Sequence, residues 1–135
     1  MATIQLPRTL INKILTQAQS SEEDEVCGLI SGKNDTATRV YPVKNIAEEA
    51  DHLFDMDPKA QIDAMREMRN QGEELFAIYH SHPHAPAVPS ATDIQQAAYP
   101  EALYLIVSLD TQGVLEMRGF HLRDHEVETI DLELV

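Results

Sequence analysis

"LFAIYHSHPHAPAVPSATD", residues 75–93, begins as an unbroken apolar run and ends as a proline-studded segment closed by a serine and an aspartate. The run predicts a strand covered on both faces, because a half-solvated strand would alternate apolar with polar residues. If the strand continues, His80 and His82 lie two positions apart and point to the same side, so both imidazoles can reach one ion. Pro83 and the "HAPAVP" stretch then swing the chain round, and a short helix from Ser90 to about Ala98 returns Asp93 to the same place. Two imidazoles and a carboxylate make three N/O ligands, the number with which a catalytic zinc keeps a fourth position free for water. Ser90 and Asp93 also have the spacing of a helix N-cap and its third-position acid, a role compatible with ligation. His52, His84, His121 and His125 have no partner pattern and are expected at the surface.

Working outward, "PRTLINKILTQAQSS" (residues 7–21) places Leu10, Ile14 and Ala18 at helical spacing, with Ile11 and Leu15 widening the stripe and Pro7 suited to a first turn. "VCGLISG" (26–32) and "ATRVYPVKNI" (37–46) read as two strands of a hairpin joined by the polar "GKNDT". "HLFDMDP" (52–58) predicts a further strand running into a helix, since Asp57 can cap and Pro58 fits the first helical position. Ile62, Met65 and Met68 then share a helix face that ends at Gly72. Downstream, "ALYLIVSL" (102–109) predicts a buried strand, while "VLEMRGFHL" (114–122) and "ETIDLEL" (128–134) alternate as strands with one wet face. This order is α/β, a central mixed β-sheet flanked by helices. No repeat or linker divides it, so residues 1–135 are expected to form one domain.

Composition excludes several partners. With 43% hydrophobic residues the 135-residue chain is globular, and its net charge of -13 repels polyphosphate and anionic lipid, so neither nucleic acid nor membrane is expected. Cys27 is the only cysteine, which rules out an internal disulfide and suits a reducing compartment; it is expected as a small buried hydrophobe. "MATIQLPRTL" lacks the features of a signal peptide, and the longest apolar run, "LYLIV", is too short to span a bilayer, so a cytoplasmic protein is expected. Nothing in the sequence fixes the oligomeric state.

The stretch "HSHPHAPAVPSATD" resembles the motif of the JAMM, or MPN-plus, metalloproteases: His-x-His, seven residues, then Ser-x-x-Asp. That family includes the proteasomal and signalosome deubiquitinases and small bacterial members acting on ubiquitin-like sulfur carriers. "DEVCGLISG" is similar to the Glu-x-Cys-Gly segment of the bacterial members, and "FDMDP" also looks like that branch. The resemblance implies a single-domain, cytidine-deaminase-like MPN sandwich. It further implies Zn2+ ligands at His80, His82 and Asp93, a catalytic glutamate at Glu25 and the motif serine at Ser90. Glu22, Glu23 and Asp24 flank Glu25, but the distance to Cys27 and Gly28 favours Glu25, and the others are expected to be a solvated acidic run.

In this reading zinc lowers the pKa of a water, Glu25 takes its proton, and Ser90 donates to the developing oxyanion. The expected function is zinc-dependent hydrolysis of a peptide or isopeptide bond at the C-terminal tail of a ubiquitin-like or sulfur-carrier protein, releasing cysteine or a short peptide. A catalytically silent zinc module that binds a ubiquitin-like partner is the alternative, against which Glu25 counts. A zinc deaminase would call for a Cys-x-x-Cys pair that the chain lacks. A thiol enzyme built on Cys27 would lose its activity on alkylation.

Overall fold

The computed structural model describes residues 3–111 and 115–135. The elements run β1 (Thr3–Leu6), α1 (Arg8–Gln19), β2 (Cys27–Lys33), β3 (Thr36–Val43), α2 (Pro58–Asn70), β4 (Glu74–His82), α3 (Ala91–Gln96), β5 (Leu103–Ser108), β6 (Glu116–Arg123) and β7 (Glu126–Leu134). The strands form one sheet in the order β1-β7-β6-β5-β4-β2-β3. It is mixed: β1 with β7 and β4 with β5 are parallel, and the other neighbours are antiparallel. The β2–β3 hairpin turns through Asn34 and Asp35, and the β6–β7 hairpin through Asp124 and His125, all with positive φ. Asn and Asp tolerate that left-handed geometry well, and such turns match the twist of the strands they join.

The two faces of the sheet carry different cores, and strand alternation decides which residue goes where. On the face covered by α1, Leu10, Ile11, Ile14 and Ala18 meet Ile30, Ala77, Tyr79, Leu103, Leu105 and Val107. On the other face, Ala64 and Met68 of α2 join Cys27, Leu29, Ile78, Tyr104 and Ile106. His80 and His82 share the parity of Ile78, so they emerge on the α2 side where β4 ends beside β5. An added Cβ at Gly28 would collide with the Tyr79 ring, so this strand pair approaches closely only because residue 28 has no side chain.

Three expectations are corrected and one element is new. Thr3–Leu6, assigned to no element from the sequence, is an edge strand paired in parallel with β7. "HLFDMDP" is not a strand: residues 48–52 are turns, and its single ladder contact is an isolated bridge between Asn45 and Met56. The Asn45 side chain takes hydrogen bonds a partner strand would have made, accepting from Ala47 N and Asp55 N and donating to Leu53 O. α3 stops at Gln96 rather than near Ala98, with Ala97 extended. Pro100 disfavours a helical Tyr99, whose N–H donates to the Tyr104 hydroxyl instead. Ile62 is 55% exposed, because the buried stripe of α2 runs through Ala64 and Met68. Val114, the first residue assigned to the strand "VLEMRGFHL", lies outside the described residues.

Candidate metal centre

β4 delivers the imidazoles as the spacing predicts. His80 and His82 are 1% and 4% exposed, and their Nε2 atoms lie 3.2 Å apart. The chain then turns through residues 83–89, and α3 brings Asp93 back. Its Oδ2 is 3.1 Å from His80 Nε2 and 3.2 Å from His82 Nε2. The return is fixed by a reciprocal cap: Asp93 N donates to Ser90 Oγ at 3.0 Å, and Ser90 N donates to Asp93 Oδ2 at 2.9 Å. The carboxylate is thereby held at the helix start, and the Ser90 hydroxyl, used there as an acceptor, retains its own hydrogen for another partner.

Glu25 reaches the same place from the irregular segment between α1 and β2. It is 5% exposed, whereas Glu22, Glu23 and Asp24 are exposed. One of its carboxylate oxygens lies within 4.8 Å of ligand atoms of His80 and His82, and these three buried groups form a cluster able to hold a metal ion. Glu25 Oε1 has no hydrogen-bond partner among the described residues. A buried acceptor without a partner is costly, and one on a carboxylate grouped with two buried imidazoles leaves room for a further polar group.

The electrostatics follow from this crowding. Burial is the largest influence on Glu25 and pushes its carboxyl from 4.5 to about 7, with Asp93 adding to the rise and His82 opposing it. Burial also opposes ionisation of Asp93, but the His80 and His82 contacts outweigh it and hold that carboxyl well below the usual range. His80 is held below the ordinary histidine value by desolvation. For His82 desolvation acts the same way, yet Asp93 and the Pro86 carbonyl prevail and raise it. Two carboxylates in one site are thus pushed apart, one kept ionised and one poised to exchange a proton near neutrality.

Sequence reasoning missed two neighbours. His82 Nδ1 lies 2.8 Å from the Pro86 carbonyl, which can only accept, so Nδ1 carries a hydrogen and Nε2 is the ring atom that faces Asp93 and His80. Phe54 stacks on His80 with ring centroids 4.4 Å apart and planes 24° from parallel. A four-residue offset after His82 is a weak signal for the first, and nothing local to the sequence signals the second. A small cavity of about 40 Å³ opens on His80 and Asp93, walled by Leu53, Phe54, Thr92, Gln96, Ala97 and Tyr104. The remaining histidines stand apart: His84 faces Glu23 at 3.6 Å, His52 contacts Asp51, and the part-buried His121 contacts Glu128.

A seven-stranded mixed sheet with histidines at the end of a central strand, an aspartate in a helix capping box and a buried glutamate defines an α/β domain with a side-chain cluster able to hold a metal ion. The family model for prokaryotic homologs of the JAB domain matches residues 7–122, and the chain belongs to that family. It is similar to a desampylase of Haloferax volcanii, 39% identical over 64% of this chain and 63% of that protein, so the match spans less than two thirds of that relative's length. It is also 32% identical to the CysO-cysteine peptidase of Mycobacterium bovis, over 87% of this chain and 82% of that protein. The fold matches that of AF2198, a JAB1/MPN domain protein from Archaeoglobus fulgidus, with a TM-score of 0.62 at 21% identity, covering 98% of this chain and 96% of that one. Among the described residues no helix is long and apolar enough to cross a membrane.

Proposed function

We propose that this chain, with residues 1–135 acting as one domain, is a zinc-dependent peptidase or isopeptidase. Its substrate is the C-terminal tail of a ubiquitin-like, sulfur-carrier type protein, from which it releases cysteine or a short peptide. The names of the two relatives support the substrate class, and the site geometry supports the chemistry.

The donor triangle carries the reading. Ligand atoms on a tetrahedral zinc stand roughly 3.3 Å apart when bonds are about 2.0–2.1 Å. His80 Nε2, His82 Nε2 and Asp93 Oδ2 are separated by 3.1, 3.2 and 3.2 Å, which fits. Glu25, farther off and without a partner for Oε1, is better placed to receive a proton than to ligate. Zinc bound there would lower the pKa of a water to about 7 and polarise the substrate carbonyl. Glu25 accepts a proton at its carboxylate and returns it to the leaving amine. The Ser90 hydroxyl, its oxygen already fixed by the Asp93 N–H, donates its hydrogen to the carbonyl oxygen as negative charge develops there. The Pro86 carbonyl holds His82 through Nδ1, and the Phe54 ring stacks on His80.

The test is mass spectrometry of a ubiquitin-like carrier ending in Gly-Gly plus a cysteine or dipeptide, incubated with wild type and with Glu25→Gln. Loss of the extension alone, and with wild type alone, is the expected result. Equal digestion of unfolded casein would make the chain a general peptidase. Tight carrier binding without cleavage would make it a silent recognition module.

A further inference from the structure

Asn45 lies two residues past the end of β3, and its side-chain amide is saturated within the loop it opens. Nδ2 donates to Glu25 O at 3.0 Å and to Leu53 O at 2.9 Å. Oδ1 accepts from Ala47 N at 3.0 Å and from Asp55 N at 2.9 Å. The orientation of the amide is unambiguous, since a flip would set two acceptors against carbonyls and two donors against N–H groups. Glu25 N–H in turn donates to Ala50 O at 2.7 Å. Both main-chain polar groups of Glu25 therefore bond to the segment 45–50. The same loop carries Phe54, stacked on His80, and the Asn45–Met56 bridge closes it at its base.

Glu25 belongs to no helix or strand, so no ladder fixes the direction of its side chain. We infer that Asn45 is a positioning residue, which holds the Glu25 carboxylate and the Phe54 ring at their stations around the imidazole pair. Few other side chains fill the position. Aspartate has acceptors only and would face the Glu25 and Leu53 carbonyls with a charged oxygen; serine has one donor; glutamine is a methylene too long. Asn45 touches no reacting atom. It acts through Glu25, and this inference rests on the proposed hydrolytic function only where turnover is the readout.

The experiment compares Asn45→Ala and Asn45→Asp with wild type and with Ile130→Val, a core change on the opposite face that reports loss of stability alone. Zinc content, amide hydrogen exchange, and kcat and KM on a ubiquitin-like carrier with a C-terminal dipeptide extension are measured for each. Zinc should stay stoichiometric, because Asn45 contacts none of His80, His82 or Asp93. The amides of Glu25, Ala47 and Asp55 should exchange at least about tenfold faster in Asn45→Ala. In both Asn45 variants kcat should fall on the order of 10²-fold with KM within about threefold, as expected when a reacting group is misplaced. Ile130→Val should show neither effect. Unchanged exchange at Glu25, or a kcat no lower than that of Ile130→Val, overturns the inference. If Asn45→Ala does not fold, Asn45→Asp, which keeps both acceptor contacts but sets a charged oxygen against the Glu25 and Leu53 carbonyls, carries the kcat and KM comparison, with faster exchange expected at Glu25 alone. If wild type cleaves no carrier, the proposed function fails by itself and the exchange rates still decide the role of Asn45.

Discussion

Val26 and Ser81 are clasped by two hydrogen bonds: Val26 N donates to Ser81 Oγ at 2.9 Å, and Ser81 N donates to Val26 O at 3.0 Å. One is the residue after Glu25 and the other stands between His80 and His82. The clasp ties the residue after the glutamate to the residue between the imidazoles. Ser81→Ala would leave the Val26 N–H without its acceptor, which costs about 1–3 kcal/mol for a buried group. The expected outcome is a loss of that size in denaturant unfolding, with zinc content unchanged.

Zinc should purify with the protein at close to one per chain without being added. His80→Ala combined with His82→Ala removes two of the three triangle donors, and elemental analysis should then find no zinc. Retention of stoichiometric metal in that double variant would sink the ligand assignment. Because a metal that binds only the folded state adds its binding free energy to stability, chelation should also lower the melting temperature.

Glu25→Gln should keep the metal and the fold but lower kcat by about 10²–10⁴-fold, the usual contribution of a general base. Glu22→Gln and Glu23→Gln alter exposed side chains and should leave kcat within about twofold. Equal damage from all three would misplace the base.

Metal-free protein should show a pH dependence to which Glu25 contributes. Its carboxyl is raised from 4.5 to about 7 in the folded state, so folding binds its proton more tightly than the unfolded chain does. That contribution is fully present below pH 4.5 and is lost as pH rises through about 7; a shift of this size corresponds to about 3 kcal/mol. Glu25→Gln should therefore stabilise the apo protein relative to wild type at pH 8, with the gain shrinking toward pH 5. Thermal melts of both proteins in chelator at the two pH values make the comparison, and a gain independent of pH would contradict the burial account.

Cys27 is fully buried, and desolvation, with Glu25 and Asp55 adding to it, pushes its thiol from 9.0 up to about 12. The thiolate is the reactive form, so iodoacetamide at pH 8 should leave the native chain unlabelled while modifying it fully in denaturant. Carrier cleavage should survive the native treatment. Inactivation paired with labelling of Cys27 would instead favour a thiol mechanism.

The candidate site was unusually legible in the sequence because its residue spacing is local. His80 and His82 share a side through the period-two geometry of one strand, and Ser90 and Asp93 meet through a single capping box. Apolar periodicity likewise announced α1, the β2–β3 hairpin, β4 and β5, whose burial leaves one side-chain pattern possible for each. Other features depend on partners far away in the chain. Thr3–Leu6 has too little pattern to be read as a strand, and becomes one because β7, more than 120 residues later, offers it a parallel edge. Residues 52–56 look extended, yet one asparagine captures their hydrogen bonds first. Glu25 is indistinguishable by charge from its three acidic neighbours; its spacing to Cys27 and Gly28 favoured it in the sequence, and burial sets it apart in the fold. A helix cap is decided by bonds between near neighbours, whereas an edge strand and the direction of a loop carboxylate are decided by whichever backbone groups the rest of the fold brings to them.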